Sequence, residues 1–386
     1  MNKTNQQILT RVTCSAAELD KYLDGWEDLA KNAAEPNIFY EPGSLLAALK
    51  NADDGLSFIC LLIFRKKTSH QNNEEQLIGL FPFQYLKETQ WPSYGVYQTF
   101  THRHCYLSTP LVHKEHISEA LDCFLDWANS SPNGVKLFRL HRINGTGKLA
   151  EAFQCRIRKN RQPIMHEGCY QRAFISPTGT AEEYISNALS KHKYKEYGRL
   201  LRRLEEQGTL KLETSNTDEQ FKWLDKFLSL EASGWKGGKG HAMESNSSDS
   251  GFFYDLIHSL NKKKQLVLHS LWLDNKIIAM KCNLTSCDNQ GSFAFKIAYD
   301  ENYSKFSPGV LLELKNIHHL FKQSPPLAWM DSCADPNHPM IDHLWKERRT
   351  IDHYFLGTKT FGGRIKILLL KIQKCLSQIK AKHNND

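Results

Sequence analysis

Leu19, Tyr22, Leu23, Trp26 and Leu29 recur at the three- and four-residue spacing of one helix face. Ser15, with Glu18 three residues later, forms a capping box ahead of them. Two apolar runs, SFICLLIF (57–64) and QLIGLFPF (76–83), then read as strands joined by the polar loop KKTSHQNNEE. STPLV, a helix through ISEALDCFLDWA and a strand KLFRLHRI follow. The segment IRKNRQPIMHEG (157–168) is basic, holds a proline and lacks periodicity, so the domain boundary is expected there.

The second half predicts a clearer series. QRAFIS is a strand, and Thr180 with Glu183 opens a long helix ending near Gly208. TLKLET is a strand, and Thr217 with Gln220 caps a helix through FKWLDKFLSLEA. A helix over FYDLIHSLN precedes three strands, QLVLHSLWL, KIIAMKCNL and GSFAFKIAY, joined by hairpin-like connections. The helix PGVLLELKNIHHLFK, the strand LAWMD, the helix PMIDHLWKERR and the strand TIDHYFLG complete it. The expected fold class is α/β. The expected divisions are residues 1–165, 166–360 and a tail, 361–386.

Composition narrows this little. A chain of 386 residues exceeds one ordinary core. With 40% hydrophobic and 24% charged residues it reads as a soluble globular protein. The net charge of +8 points to anionic partners. The N-terminal stretch has no apolar signal core, and no apolar run has the length of a membrane span. Ten scattered cysteines without a short-spaced framework read as reduced thiols, which places the chain in the cytoplasm. The closest pair, Cys282 and Cys287, matches no strong zinc spacing.

EASGWKGGKGH (231–241) invites a phosphate-loop reading. A P-loop places glycine five residues before its GK pair and Ser or Thr after it; Ser233 and Gly240 stand there instead. Gly234 reads as a helix end, and Trp235 as an aromatic that packs under a ligand or another domain. A better anion site is the helix start after GSFAFKIAY. Ser307 has capping chemistry, Pro308 suits the first helical position, and Gly309 leaves the backbone open to close approach. A plain capped helix fits the same residues.

Three segments, LEASGWKGGKGHA, YDENYSKFSPGVLLEL and MDSCADPN followed by LWKERR, resemble the GNAT-type acetyltransferases of the CelD-like group, associated with cellulose and other exopolysaccharide biosynthesis. That group is related to the Fem-type transferases, which carry two GNAT-like domains. NIFYEPGSLL, LIGLFPF and YLSTPLV extend the resemblance into the first half, over residues 15 to 357. The resemblance implies tandem GNAT-like domains, each a mixed sheet flanked by helices. It implies transfer of an acyl group, most simply acetyl, from coenzyme A to a sugar or amino-sugar acceptor, without a metal. The cofactor pyrophosphate would sit on Ser307, Pro308, Gly309, Val310, Leu311 and Leu312. The usual GNAT phosphate loop is absent, and KFSPGV stands in its place. Two alternatives are a non-catalytic accessory protein of a polysaccharide synthase complex and a Fem-like aminoacyl transferase.

Acyl transfer needs a base, an oxyanion donor and an acid for the thiolate. Backbone N–H groups of GSFAFKIAY are the expected oxyanion donors. Asp331, ending LAWMD, is the first candidate base, and Glu231 the second; each also reads as an ordinary cap or helix-end residue. Tyr299 and Tyr303 are candidate acids or wall aromatics. Trp235, Lys236, Lys346 and Arg348 are candidate acceptor contacts, the last two on a short helix after the Asp331 loop. Lys191 to Arg203 carries six basic residues with interleaved tyrosines, the look of a nucleic-acid face, but a solvated or phosphate-facing helix explains it as well. His338, His343 and His353 fit no standard ligand set. In the tail, Ile365, Leu368, Leu369, Ile372, Leu376 and Ile379 form one helical stripe. Arg364, Lys366, Lys371, Lys374, Lys380 and Lys382 accompany it with no acid before Asp386, a pattern suited to an anionic membrane surface or to docking on protein.

Overall fold

The computed structural model describes residues 7–52, 55–68, 73–88, 93–215, 220–234 and 243–383. The chain forms two compact units. One comprises Met1–Pro42, Asp54–Tyr170 and Thr350–Asp386; the other comprises Gly43–Asp53 and Gln171–Arg349.

In the first unit β1 (Ile8–Thr13), β2 (Phe58–Thr68), β3 (Asn73–Glu88) and β4 (Tyr94–Thr99) pair antiparallel in that order. β5 (Leu111–Val112) is a short addition to β3. β6 (Leu137–Asn144) pairs parallel with β4, at Tyr97–Phe138 and Gln98–Arg139. α1 (Ala16–Leu19) and α2 (Leu23–Lys31) share the stripe read as one helix, broken by a 3-10 turn at Asp20–Tyr22. α3 (Pro42–Lys50), which no sequence pattern marks, belongs to the second unit from Gly43 onward. α4 (Ile117–Asn129) makes the crossover that the parallel step requires, and α5 (Gly147–Lys159) follows β6. The core joins Phe81, Phe83, Phe124, Phe138 and Phe153 to the aliphatic faces of α4 and α5.

The supposed boundary loop is regular structure. Its first residues end α5, and the rest begin β7 (Ile164–Ile175), which passes into the second unit after Tyr170. Pro163 falls between the two elements, where its missing N–H breaks neither ladder nor helix.

The second unit repeats this scheme. β8 (Leu210–Ser215), β9 (Leu266–Leu273), β10 (Lys276–Thr285) and β11 (Gly291–Tyr299) pair antiparallel in order. β12 (Trp329–Asp331) then joins β11 in parallel and pairs antiparallel with the end of β7. The long helix expected over 180–208 is two, α6 (Ala181–Ala188) and α7 (Lys191–Glu205). Leu189 and Ser190 take extended backbone between them, and the Ser190 side chain accepts from Lys193 N at 3.2 Å to start the second. α8 (Gln220–Ser233) and α9 (Ser247–Lys262) precede β9, and α10 (Pro308–Lys322) makes the parallel crossover. α11 spans only Ile341–Leu344, because β13 (Glu347–Gly357) begins three residues later. From Thr350 β13 belongs to the first unit, where it pairs antiparallel with β6.

α12 (Phe361–His383) closes the first unit. It docks through Ile367 and Leu370, which pack with Val96, Leu137, Met165 and Phe355. Ile365, Leu368, Ile372, Leu376 and Ile379, most of the stripe read from sequence, remain exposed. No helix among the described residues is long and apolar enough to cross a membrane.

Candidate active site

Each unit has one parallel step, and parallel strands that stop pairing early leave a V between them. In the first unit that V is filled by the chain itself. Thr99 Oγ1 donates to His141 O at 3.0 Å and accepts from His141 N at 2.9 Å. Ser108 N donates to Arg142 O at 2.8 Å, and Asn144 N to Thr109 Oγ1 at 2.8 Å. Arg142 Nη1 donates to Cys105 O at 2.9 Å. Residues 105–109 thus hydrogen-bond along the continuation of β6.

In the second unit the ladder runs only from Gly291–Trp329 to Phe293–Asp331. β12 ends at Asp331, while β11 continues to Tyr299. On its other side β11 passes over Phe295: Cys282 pairs with Lys296 and Asn283 with Ala294. This bulge bends the strand where the V opens. A single 3-10 turn, Glu301–Phe306, then leads directly into α10.

That helix start is unusual. Ser307 occupies the left-handed region (φ 52°, ψ 52°), which a residue with a Cβ adopts only at a cost. The cap bond expected of its hydroxyl is absent; its carbonyl instead accepts from Leu311 N at 3.1 Å. Pro308 takes the first helical turn as expected. A Cβ on Gly309 would meet the Tyr299 ring at 3.4 Å and Met340 Sδ at 3.6 Å, ordinary contacts. Leu311 and Leu312 point into the core, with Tyr299 and Tyr303 packed against the same cluster. Only the backbone of this turn is therefore available to an anion, together with the partial positive charge of the helix start.

α10 is fixed by a buried polar network. Lys281 Nζ lies 2.8 Å from Glu313 Oε2, with both side chains almost fully buried. Glu313 Oε1 accepts from Asn316 Nδ2 at 2.8 Å and from Trp345 Nε1 at 3.2 Å, and Asn283 Nδ2 donates to Asn316 Oδ1 at 2.7 Å. Sequence reasoning missed this set. Its signal was a lysine inside the apolar run KIIAMKCNL, and a glutamate and an asparagine on the apolar face of a helix.

Asp331 does not stand where a base must. It is fully buried, and its Oδ2 accepts from Arg172 Nη2 at 2.7 Å and Arg349 Nη1 at 2.9 Å. Oδ1 accepts from Cys333 N at 2.9 Å. Burial by itself would raise its pKa, but Arg172 and then Arg349 outweigh it and hold the carboxyl below its usual range. A carboxylate so held anchors β12 to β7 and resists taking a proton.

Glu231 is also buried, at the end of α8, with Oε2 accepting from Met243 N at 3.0 Å. It shares a small cavity of about 30 Å³ with Gly234, Ile297, Ala298, Tyr299 and Glu301, room on the order of one water. Tyr303 lies beneath the Lys276 ammonium, 5.1 Å from its ring centre. Lys346 and Arg348 lie after α11, not on it. Lys346 is exposed, and Arg348 is spent on the carbonyls of Trp345 (2.6 Å) and Glu347 (2.9 Å). Trp235 and Lys236 lie outside the described residues.

Comparison with known proteins agrees with this geometry. Residues 191–337, which hold the open V and α10, match the family model described as Acetyltransferase (GNAT) domain. A search of curated proteins returns no match. Among solved structures, FemX aligns with 90% of this chain and 96% of its own at 9% identity, with a TM-score of 0.54. A conserved protein of unknown function from Bacteroides thetaiotaomicron aligns with 87% and 97% at 9% identity, with a TM-score of 0.51. At such identity these structures show a shared fold. Residues 191–337 are thus similar to a GNAT acetyltransferase domain, and the chain has a mixed α/β fold shared with FemX.

The arginine clamp on Asp331 has a stability consequence. Asp331→Asn removes the buried carboxylate charge that Arg172 and Arg349 share, and we expect chemical denaturation at neutral pH to show a loss of about 3–5 kcal/mol. Arg172 and Arg349 hold the native carboxyl below the ordinary aspartate range. The clamp's contribution is therefore complete above about pH 4 and is lost as pH falls through the lower native value. The variant should show less acid-induced loss than the parent.

Proposed function

We propose that the second unit transfers an acyl group, most simply acetyl, from coenzyme A to an amine or hydroxyl of a sugar or amino-sugar acceptor. The observation that carries this reading is the open V of β11 and β12 with α10 starting one turn beyond it. The helix-start backbone, Ser307 to Leu312, would receive the pyrophosphate on the N–H groups of Gly309 and Val310, since Pro308 has none and those of Ser307 and Leu311 donate to Ser304 O and Ser307 O.

In the transfer step the acceptor nucleophile attacks the thioester carbonyl, and a C–N or C–O bond forms. Glu231 takes the acceptor's proton, directly or through one water in its small cavity. N–H groups of β11 beside the Phe295 bulge steady the oxyanion. The C–S bond then breaks, and the thiolate leaves with a proton from Tyr299, whose ring lies against Gly309. Asp331 has no part in this sequence beyond holding β12.

The FemX likeness favours a second reading, an aminoacyl transfer of the Fem type. Acetyl-CoA binding by calorimetry supports the first reading, and binding of charged tRNA without acetyl-CoA binding supports the second. In either case the acceptor, a role beside a polysaccharide synthase and a cytoplasmic setting are parts of the proposal. We also propose that α12 attaches the protein reversibly to an anionic membrane. Its exposed Ile365, Leu368, Ile372, Leu376 and Ile379 lie beside the exposed Arg364, Lys371 and Lys380.

Three outcomes follow. Gly309→Asp places a carboxylate at the expected pyrophosphate and should weaken acetyl-CoA binding at least tenfold, about 1.4 kcal/mol; normal binding by the folded variant would move the site elsewhere. Glu231→Gln should lower kcat about a hundredfold or more with little change in donor affinity, and an unaltered kcat removes Glu231 as base. Liposome co-sedimentation of the full chain should depend on anionic lipid and fall with salt, while a chain truncated after Gly363 should stay in solution. Equal partitioning of the two chains would exclude the tether.

A further inference from the structure

The first unit contains a cavity of about 590 Å³, the size of a small-molecule site. It opens to solvent along one edge and runs in beside the core, the form of a small-molecule cleft. Phe81, Phe83, Leu121, Phe124, Leu140 and Phe153 wall it. Its wall takes in Thr99 of β4, Leu140 and Ile143 of β6, and Thr109 and Pro110 of the segment that fills the V.

Polar groups gather at its edge. Gln154 Nε2 donates to Tyr354 Oη at 2.9 Å, Tyr354 Oη donates to Asp352 Oδ2 at 3.0 Å, and His166 Nε2 lies 3.0 Å from Asp352 Oδ1. The Tyr354 hydroxyl is thereby held as a donor, and burial together with Asp352 pushes its pKa well up. Arg158 and Glu151 add an exposed cation and an exposed carboxylate to the lining. Arg158, His166 and Gln154 thus border a space whose wall is mainly phenyl and aliphatic, with Tyr40, Thr99, Thr109 and Asn144 among the remainder.

We infer that the first unit binds an amphiphile whose single aliphatic chain fills this cavity and whose carboxylate head meets Arg158 at its edge. The chain is buried among the phenyl rings, where no polar group would be left unsatisfied. The head stays at the edge, where the Arg158 guanidinium supplies both the charge and the hydrogen bonds. This site is independent of the acyl-donor reading, which concerns the second unit.

The probe is dodecanoate, and the readout is binding by calorimetry with the full chain. We expect one molecule per chain in the parent. Ala150, on α5 and in the cavity wall, can be enlarged without removing a contact. Ala150→Phe should weaken dodecanoate at least tenfold, Arg158→Ala should weaken it several-fold, and Gly309→Asp should leave it unchanged. No dodecanoate binding by the parent, or equal affinity in Ala150→Phe, would overturn the inference. Should Ala150→Phe fail to fold, photolabelling of the parent with a diazirine-tagged dodecanoate decides. Labels on Phe81, Leu121, Leu140 or Phe153 support the site, and labels confined to other surfaces refute it.

Discussion

Two buried ion clusters hold the second unit's reaction geometry. Lys281 with Glu313 ties α10 to β10, and Arg172 with Arg349 ties Asp331, the last residue of β12, to its neighbours. Neither cluster touches solvent, so each charge has given up its hydration and depends wholly on its partners. Such pairs fix position better than apolar contacts do, because a displacement leaves a buried charge unpaired. The positions they fix are those the proposed transfer uses: the helix start shortly after β11, and the point where β12 stops pairing. A V between parallel strands is useful only if it stays open to a constant width.

The two units show what else that openness requires. Both place four antiparallel strands beside a parallel step closed by one crossover helix. In the first, the chain between β4 and α4 runs through residues 100–116, long enough to fold back and bond to β6. In the second, only residues 300–307 separate β11 from α10, and they are taken up by one 3-10 turn and Ser307. One topology therefore gives a sealed unit with an apolar cavity and an open unit with a ready helix start. Connector length decides between them.

Much of this was legible in the residues. Period-two and period-3.6 patterns located most of the second unit's elements, and Pro308 with Gly309 marked the helix start. Errors arose where tertiary contacts outweigh local pattern. IRKNRQPIMHEG has the composition of a loop, yet β7 forms because its partners are remote in sequence. PMIDHLWKERR has helical spacing, but β13 claims its last residues. Asp331 was chosen for its place at a strand end, and nothing near it in sequence announces Arg172, 159 positions away. The lysine within β10 and the glutamate on α10 were visible separately, but only the fold makes them a pair.

Amide hydrogen exchange with and without acetyl-CoA tests the central claim most directly, since it reports on the backbone groups said to receive the donor. Protection is predicted in peptides covering β11 and the first turn of α10, residues 291–312, with none at the start of α4. Protection at α4, or no change at residues 307–312 under saturating acetyl-CoA, would contradict the account.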